Sequence, residues 1–318
     1  MRIYGSIHYP QRYQTIGWIL RLNVSLIISP QYTVRKNLDD RGNPEHTPAA
    51  LLQSATRLCY TAMLLIVAAL AEELQVAIDL CSSCAKTNLG GARLRSGVFC
   101  GKTIHFLKTG VGPERATKKL DAVLSSFSPR RILIIGYAGA LSPAIGLGDL
   151  IAMRRASIFG EKRTPRLPLE QLEIAETYDL DGSLELLSFA QAAGLTAHVG
   201  DGLTSPYIIG SPLQKQVLHR RFQALSIDME TAALARSARA AGIPVTCVRV
   251  ISDDAADDFL APFTYDPDAS SMDRALRVLG AGNWGKRYHT WRQRAEKARK
   301  NLAELLRVWL DVWSRGGE

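Results

Sequence analysis

An alanine-rich helix, Met229–Ala241, followed directly by an apolar strand, Val245–Ile251, constrains the fold of this 318-residue chain more than any other feature. Acidic residues stand at both ends of this unit, Asp228 and Glu230 where the helix begins and Asp253 where the strand ends. Ligands of open α/β sheets bind beyond the carboxyl ends of strands, so we expect Asp253 in a functional site. Asp228 and Glu230 have an alternative role, because acids in the first turn of a helix complement its dipole.

Strands and helices alternate along the central part of the chain. The predicted strands are Met63–Leu70, Ile132–Ile135, Asp149–Met153 and Leu195–Val199, with strand-like runs over Val98–Phe106, and the predicted helices are Pro113–Phe127, Gly182–Ala193 and Leu213–Arg221. Alternation of this kind is typical of a sheet covered by helices on both faces. The sequence therefore predicts an α/β fold: one domain with three layers, α/β/α, and a mostly parallel, twisted central sheet.

Three segments with different patterns divide the chain. Residues 1–62 show no clear hydrophobic periodicity and are interpreted as an irregular or appended N-terminal extension. Residues 63–285 are interpreted as the folded catalytic domain, and residues 286–318 as a basic, amphipathic C-terminal helix. One face of this helix carries Trp291, Ala295, Ala298, Leu302, Leu306, Trp309 and Trp313. We expect this apolar face to dock on the domain; the alternative is peripheral contact with an anionic membrane or with a lipid-like substrate.

The net charge of +9 belongs to the two ends of the chain. Residues 1–62 contribute +4 and residues 286–318 contribute +5, so residues 63–285 are balanced, which argues against a nucleic-acid groove in the domain. No stretch approaches the roughly 18 apolar residues of a membrane span. The five cysteines are odd in number and several of them lie in apolar runs, which predicts a reduced, cytoplasmic protein. Cys81-Ser-Ser-Cys84 lacks a second Cys/His pair and is interpreted as a helix end.

Loops and turns that follow strand ends, and one helix start, carry unusual residues. Gly136–Leu141 is expected to be such a turn, after the strand Ile132–Ile135. The motifs are Ala69-Leu70-Ala71-Glu72-Glu73, Thr109-Gly110-Val111-Gly112, Gly136-Tyr137-Ala138-Gly139-Ala140-Leu141, Ile227-Asp228-Met229-Glu230-Thr231 and Arg249-Val250-Ile251-Ser252-Asp253. One glycine loop alone would be weak evidence, because such turns occur in many α/β proteins. In this order the motifs resemble the nucleoside phosphorylase and nucleosidase superfamily over about Met63 to Asp257. The greatest similarity is to methylthioadenosine/S-adenosylhomocysteine nucleosidases and to the hopanoid-associated nucleosidase branch.

The resemblance implies a nucleoside phosphorylase-like fold and an adenine-releasing active site. Cleavage of an N-glycosidic bond leaves an oxocarbenium-like sugar, and a purine departs readily only when its N7 is protonated. By resemblance, Asp253 is the acid at N7, Glu230 stabilises the sugar cation, and Glu73 is the general base for water. The same resemblance implies that Arg249 and Thr109 help to hold this water and that Met229 packs on the ribose. It also implies that substrate is bound by Gly110, Gly112, Ala138, Gly139, Tyr207, Ile208, Asp228 and Ser252.

The position of Glu73 favours hydrolysis over phosphorolysis, because phosphorylases of the superfamily place an anion-binding loop there. Two alternatives stay open: a phosphate-dependent purine nucleoside phosphorylase and a non-catalytic nucleoside-binding domain. Departures from the family pattern at Tyr137 and across Leu203–Tyr207 leave the 5′ group of the substrate open, among methylthioadenosine, S-adenosylhomocysteine and an adenosyl-lipid such as adenosylhopane. We expect no cofactor and no metal, and the resemblance implies a homo-oligomer.

Overall fold

Strand β1 (Leu64–Ala68) consists only of apolar residues, all of them buried, and lies inside the sheet. It runs parallel to both of its neighbours, β4 (Lys102–Lys108) and β5 (Arg131–Ala140). Because successive side chains of a strand point to opposite faces, alternate residues of β1 enter two different hydrophobic cores. These observations come from a computed structural model, which describes residues 63–89, 92–159, 172–257 and 284–316; the predicted extension 1–62 lies outside them.

The other elements follow in chain order. The remaining strands are β2 (Ser83–Leu89), β3 (Ala92–Phe99), β6 (Leu150–Phe159), β7 (Ile174–Asp179), β8 (Ala197–Thr204), β9 (Ser226–Asp228) and β10 (Val245–Asp253). The helices are α1 (Ala71–Ile78), α2 (Pro113–Leu124), α3 (Ser183–Ala192), α4 (Pro212–Phe222), α5 (Thr231–Ala240) and α6 (Trp284–Gly316). Proline stands at the first position of α2 and of α4, where its fixed φ suits a helix start and its missing N–H costs nothing.

Five strands of the sheet pair in a closed ring. Its order is β5–β10–β6–β8–β9 and back to β5. An arm of four strands, β1–β4–β3–β2, extends the sheet from β5, and β7 pairs with the outer part of β6. The ring brings the ends of β5, β9 and β10 together, because Gly139 of β5 is paired both with Ile227 of β9 and with Asp253 of β10.

The sheet is mixed, so the expectation of a mostly parallel sheet is not confirmed. Parallel and antiparallel pairings are equal in number among the described strands. Part of the reason is a two-residue turn, Cys100-Gly101, in which both residues have positive φ. Such a turn matches the twist of a hairpin and forces β3 and β4 to run antiparallel, whereas a parallel pair needs a long crossover.

Helices supply each of the two main cores. Residues of α2 and α5 pack with one set of strand side chains, and residues of α1, α3 and α6 pack with the opposite set. Helix α5 is rich in alanine because almost its whole surface is buried, from Thr231 to Ala238. Its small side chains let it lie close to the strands and to α2, which places its first turn beside the ring.

Helix α6 packs on the body of the protein through the predicted apolar face. Its buried residues are Ala295, Ala298, Leu302, Leu305, Leu306, Trp309 and Leu310. All of them except Ala295 belong to one core together with side chains of β1, β10 and α1. Trp313 is half-buried and stacks on Trp309, while the side chain of Trp291 lies outside the described residues. Among the described residues, no helix is both long and apolar enough to cross a membrane.

Two local predictions are corrected by the structure. The segment Gly136–Leu141 was expected to be a turn, but β5 continues through it to Ala140, because Tyr137 and Ala138 pair with β10 and Gly139 pairs with both β10 and β9. The predicted helix end at Cys81–Cys84 holds only in part. The N–H of Cys81 does bond to the carbonyl of Ile78 at the end of α1, but Cys84 already belongs to β2.

Candidate active site

One cavity lies where β1, β5, β9 and β10 end. It has a volume of about 190 Å³, which fits one small molecule rather than a polymer. The predicted site residues that line it are Glu73, Ala138, Gly139, Tyr207, Ile208, Asp228, Met229, Glu230, Ser252 and Asp253. Residues that the sequence analysis did not assign also line it, namely Ala69, Leu70, Val111, Tyr137, Ile209 and Ile227. The structure therefore brings acidic groups from three separate parts of the chain to one small space.

Glu73 lies in the first turn of α1 and is almost fully buried. One carboxylate oxygen accepts a hydrogen bond from the backbone N–H of Leu70, at 2.7 Å, and the other from the N–H of Tyr137 on β5, at 2.8 Å. The first of these bonds caps the helix, so the acid serves the helix start and lines the cavity at once. Burial raises the pKa of Glu73, although Arg249 and the two N–H donors oppose the shift.

Arg249 is buried at the centre of a group of acids. Its Nε lies 3.1 Å from Oδ2 of Asp228, and its Nη2 lies 3.7 Å from Oε2 of Glu230. The guanidinium also donates to the hydroxyl of Thr231, from Nε at 3.0 Å and from Nη2 at 2.8 Å. Burial alone would lower the pKa of Arg249, but the surrounding negative groups, led by Asp228, raise it overall. Arg249 is therefore a permanent cation behind the wall of the cavity rather than part of its lining.

Gly136 leaves the space in which Arg249 and Glu73 approach each other. Its φ is +149°, and a β-carbon at this position would clash with the guanidinium of Arg249 and with the carboxylate of Glu73. Any other residue would therefore have to move one of the two charged groups. The first glycine of the predicted motif on β5 is required by this close approach.

Asp228 is held by donors from the protein itself. Its Oδ1 accepts hydrogen bonds from the hydroxyl of Thr204 and from the backbone N–H groups of Glu230 and Thr231, each at 2.9 Å. Its Oδ2 accepts a hydrogen bond from the Thr231 hydroxyl and forms the ion pair with Arg249. Asp228 therefore borders the cavity and also binds a backbone N–H at the start of α5, in the manner of a capping acid.

Glu230 is buried at the start of α5 and faces the cavity. The backbone N–H of Gly112 donates to its Oε1 at 2.9 Å, which fixes the carboxyl group from the loop after β4. Burial raises the pKa of Glu230 to about 8; Arg249 opposes the shift and Asp228 adds to it. Gly112 itself lies outside the cavity lining, so its observed role is to orient Glu230.

Asp253 ends β10 and is paired with a lysine. The Nζ of Lys215, on α4, lies 2.6 Å from Oδ2 of Asp253, and the side chain of Lys215 is 0% exposed. The hydroxyl of Ser252 donates to Oδ1 at 3.1 Å. A β-carbon on Gly139 would lie 2.8 Å from Oδ2, so this glycine too is required by a close approach.

The remaining predicted residues lie near the cavity without lining it. Thr109 is fully buried, and its hydroxyl bonds to the carbonyl oxygens of Ala68 and Gly110, at 3.3 and 3.0 Å. Thr109 thereby links the end of β1 to the loop Thr109–Gly112, and Val111 of this loop lines the cavity. Within the described ranges, no group of three or more His, Cys, Asp or Glu side chains is arranged to hold a metal ion.

Sequence reasoning missed Lys215 and Thr231, which bind the acids from outside the cavity. Lys215 stands in a polar stretch of α4 without any motif, 38 residues from its partner Asp253. Thr231 directly follows the predicted acids, and a hydroxyl beside an N-terminal helix acid is a capping signal that could have identified it. Only the packing of α4 against the end of β10 reveals the lysine.

Comparison with known proteins gives the family. Residues 62–281 match the profile of the phosphorylase superfamily. A 5′-methylthioadenosine/S-adenosylhomocysteine nucleosidase of Staphylococcus haemolyticus is 24% identical over 201 residues, which are 60% of this chain and 86% of that protein. The enzyme of the same name from Halalkalibacterium halodurans is 26% identical over 228 residues, 67% of this chain and 95% of that protein.

Solved structures share the fold. The 5′-methylthioadenosine/S-adenosylhomocysteine nucleosidase of Neisseria meningitidis, in complex with methylthio-immucillin-A, superimposes with a TM-score of 0.58 at 16% identity, over 79% of this chain and 99% of that chain. A futalosine hydrolase mutant of Helicobacter pylori gives a TM-score of 0.59 at 20% identity, with the same coverage. The nucleoside phosphorylase-like α/β fold predicted from the strand-end motifs is confirmed, and from these motifs and the match over most of its length, the chain belongs to the phosphorylase superfamily.

Proposed function

We propose that this protein is an N-glycosyl hydrolase that releases adenine from a 5′-substituted adenosine. The observation that carries the proposal is the meeting of Glu73, Glu230 and Asp253 at one cavity, each from a different strand end or helix start. Cleavage of an N-glycosidic bond needs an acid at the leaving base, negative charge near the sugar and a base for the nucleophile. Three carboxyl groups in separate surroundings meet these three needs.

The surroundings of the acids support their separate roles. Asp253 is the acid at N7 of the base, with Tyr207 and Ile208 lining the same cavity. Glu230 and Met229 are adjacent at the start of α5, where a ribose can contact both. Burial favours the protonated form of Glu230, and the positive charge that develops on the sugar would favour its ionised form in the transition state. Glu73 is the general base for water, and its raised pKa makes its ionised form a stronger base than an exposed glutamate.

Water is favoured over phosphate as the nucleophile because of the charges around the cavity. Four carboxyl groups, those of Glu73, Asp228, Glu230 and Asp253, surround it, while the cations Arg249 and Lys215 are both engaged in ion pairs with these acids. A doubly charged phosphate entering beside Glu73 would find no Lys, Arg or His among the described residues that line the cavity to balance its charge in a site of low dielectric. A neutral water molecule needs no such balance, and Glu73 can take its proton.

The 5′ substituent belongs to the same proposal. Relatives named above act on methylthioadenosine and S-adenosylhomocysteine, and one structural neighbour is named a futalosine hydrolase. Methylthioadenosine and S-adenosylhomocysteine are our first candidates, and an adenosyl-lipid such as adenosylhopane is the next. The apolar face of α6, which suggested a lipid-like substrate, packs on the body of the protein, so this argument for a lipid loses its basis.

The test is the release of adenine from a panel of adenosines that differ only at the 5′ position, with and without phosphate. We expect release from at least one of them in phosphate-free buffer and no acceleration by phosphate. Asp253→Asn should lose about 10²- to 10⁴-fold in kcat, the usual contribution of a general acid. Asp254→Asn, which changes a neighbouring carboxyl group outside the cavity lining, is the matched control.

Other outcomes of this assay would identify the alternatives. An absolute need for phosphate would make the protein a phosphorylase. Saturable binding of an adenosine analogue without turnover would make it a nucleoside-binding domain. If the wild type turns over and Asp253→Asn keeps its full rate, the acid has been assigned to the wrong residue.

A further inference from the structure

Lys215 is a fully buried cation whose three donors are all engaged. Its Nζ donates to Oδ2 of Asp253 at 2.6 Å, to the carbonyl oxygen of Asp254 at 2.6 Å and to that of Asp257 at 3.4 Å. An ammonium group has three N–H donors, so these contacts use each of them. A lysine with no exposed surface is rare in proteins and needs a specific partner.

The place of Lys215 in the fold connects it to the cavity. It lies in the first turn of α4, which begins shortly after the cavity-lining residues Tyr207 to Ile209. Its partner Asp253 lines the same cavity at the end of β10. The lysine thus binds the acid without belonging to the cavity lining.

We propose that Lys215 is a positioning residue that supplies, through Asp253, the proton taken up by the departing base. The proposal rests on the function proposed above. The described contacts support it, because a neutral amine at this position keeps two N–H donors for the two carbonyl oxygens of Asp254 and Asp257. Burial also favours the transfer, since a neutral acid–amine pair carries no desolvation penalty in a dry site, whereas an ion pair does.

The protons balance as follows. The ammonium of Lys215 gives a proton to Oδ2 of Asp253, and the resulting carboxylic acid gives it to N7 of the base as the bond between N9 and C1′ breaks with its electron pair on the base. The oxygen of water bonds to C1′, and the proton that this water loses goes to Glu73. After the base leaves, the amine regains a proton from solvent and Glu73 releases one to solvent. The net reaction is nucleoside plus water to free base plus sugar.

A merely structural role for Lys215 is the competing explanation, since its contacts also tie α4 to the chain after β10. Two substitutions separate the roles. Lys215→Met removes the charge and the donors, whereas Lys215→Arg keeps the charge and several donors but cannot give up a proton at working pH. Lys118→Met, at an exposed lysine of α2, is the control for loss of one positive charge.

The experiment compares two leaving groups on one sugar. The first substrate is methylthioadenosine, or the adenosine that the 5′ panel selects, and the second is the 4-nitrophenyl β-D-ribofuranoside with the same 5′ substituent. Nitrophenolate departs as an anion without protonation. We expect both Lys215 variants, like Asp253→Asn, to lose about 10²- to 10⁴-fold in kcat on the adenosine and to keep nearly wild-type turnover of the nitrophenyl substrate.

The pH profile of the wild type gives a second readout that needs no variant. A fall in kcat at high pH should occur with the adenosine and be absent with the nitrophenyl substrate, because only the adenosine needs a proton on its leaving group. If folded Lys215 variants lose turnover equally on both substrates, or lose it on neither, the role of the lysine is overturned. The proposed function would still stand. If the wild type cleaves neither substrate, the proposed function is wrong and this inference with it.

Discussion

Burial raises the pKa of both Glu73 and Glu230, that of Glu230 to about 8, even though the cation Arg249 opposes the shift at both positions. Each acid keeps a backbone N–H donor, from Tyr137 to Glu73 and from Gly112 to Glu230, which holds it in place in either protonation state. Acids whose pKa is raised by burial are a common feature of sites that perform acid–base chemistry.

The raised pKa of Glu230 predicts how stability depends on pH. The folded protein binds a proton that the unfolded chain, with a pKa near 4.5, has released, so the free energy of unfolding falls as pH rises from about 4.5 to about 8. Glu230→Gln should make this slope shallower, so that the remaining dependence of stability on pH includes the contribution of Glu73. The measurement is urea unfolding between pH 5 and pH 9, with the exposed Glu114→Gln as control. Equal slopes in the wild type and in Glu230→Gln would contradict the prediction.

Glu73→Gln tests the proposed role of Glu73 as the base that activates water. The amide cannot take a proton, so kcat should fall by about 10²- to 10⁴-fold while binding of adenine changes little. Glu72→Gln, at the exposed neighbour on the same turn of α1, should retain activity. Steady-state kinetics and calorimetric titration with adenine measure the two effects. A variant that binds no adenine would point to a collapsed cavity rather than to a lost base.

At the scale of elements, helix α6 forms its core contacts through one continuous face. Trp309 is among the largest fully buried side chains of the described residues and stacks on Trp313 at a centroid distance of 6.5 Å. The opposite face carries basic side chains paired with acids of the same helix, as in Arg299–Glu296. The docking of α6 therefore depends on burial of apolar surface, not on these exposed ion pairs.

Trp309→Ala should lower the free energy of unfolding by about 3–5 kcal/mol, the usual cost of removing a large buried aromatic side chain. Val312→Ala, on the same helix at 44% exposure, should change it by roughly 0.5 kcal/mol or less. Chemical denaturation of both variants provides the comparison. Equal small effects would mean that α6 contributes little to the stability of the domain.

Sequence patterns predicted the element types better than the way in which the elements pair. The apolar run of β1 and the alanine-rich α5 are visible because their own composition shows their burial. The end of β5 was wrongly predicted as a turn, because glycines often mark a chain reversal. Here Gly136 and Gly139 instead allow close contacts with Glu73, Arg249 and Asp253. Lys215 carried no signal, since an ion pair between distant residues depends on the packing of two elements.

At the scale of the whole molecule, β1 has both of its neighbours, β4 and β5, within the described ranges. We therefore predict that removal of residues 1–62 leaves the thermal transition and the turnover of the protein unchanged. Thermal unfolding and adenine release, measured on the full chain and on a chain that begins at Met63, test this. Loss of folding in the shorter chain would show that the extension is part of the domain.

The association state is a separate prediction at this scale. From the family resemblance of its sequence motifs we expect a homo-oligomer, and two large hydrophobic side chains, Leu184 and Leu213, are exposed at 73% and 69%. Leu213 lies in the first turn of α4, close to the cavity. Equilibrium sedimentation should give a mass above that of one chain, and Leu213→Glu should lower it if this surface is the contact. A single-chain mass for the wild type would contradict the expectation.

The closed ring of strands has a consequence for the protein during synthesis. Strand β10 fills the place between β5 and β6, yet it is made more than ninety residues after β6 begins. A nascent chain that has emerged only as far as β9 therefore exposes the unpaired edges of β5 and β6 to other nascent chains. A fragment released when translation stalls between β9 and β10 should aggregate, because β10 is missing from the ring. The same fragment should be inactive, because Asp253 is the last residue of β10.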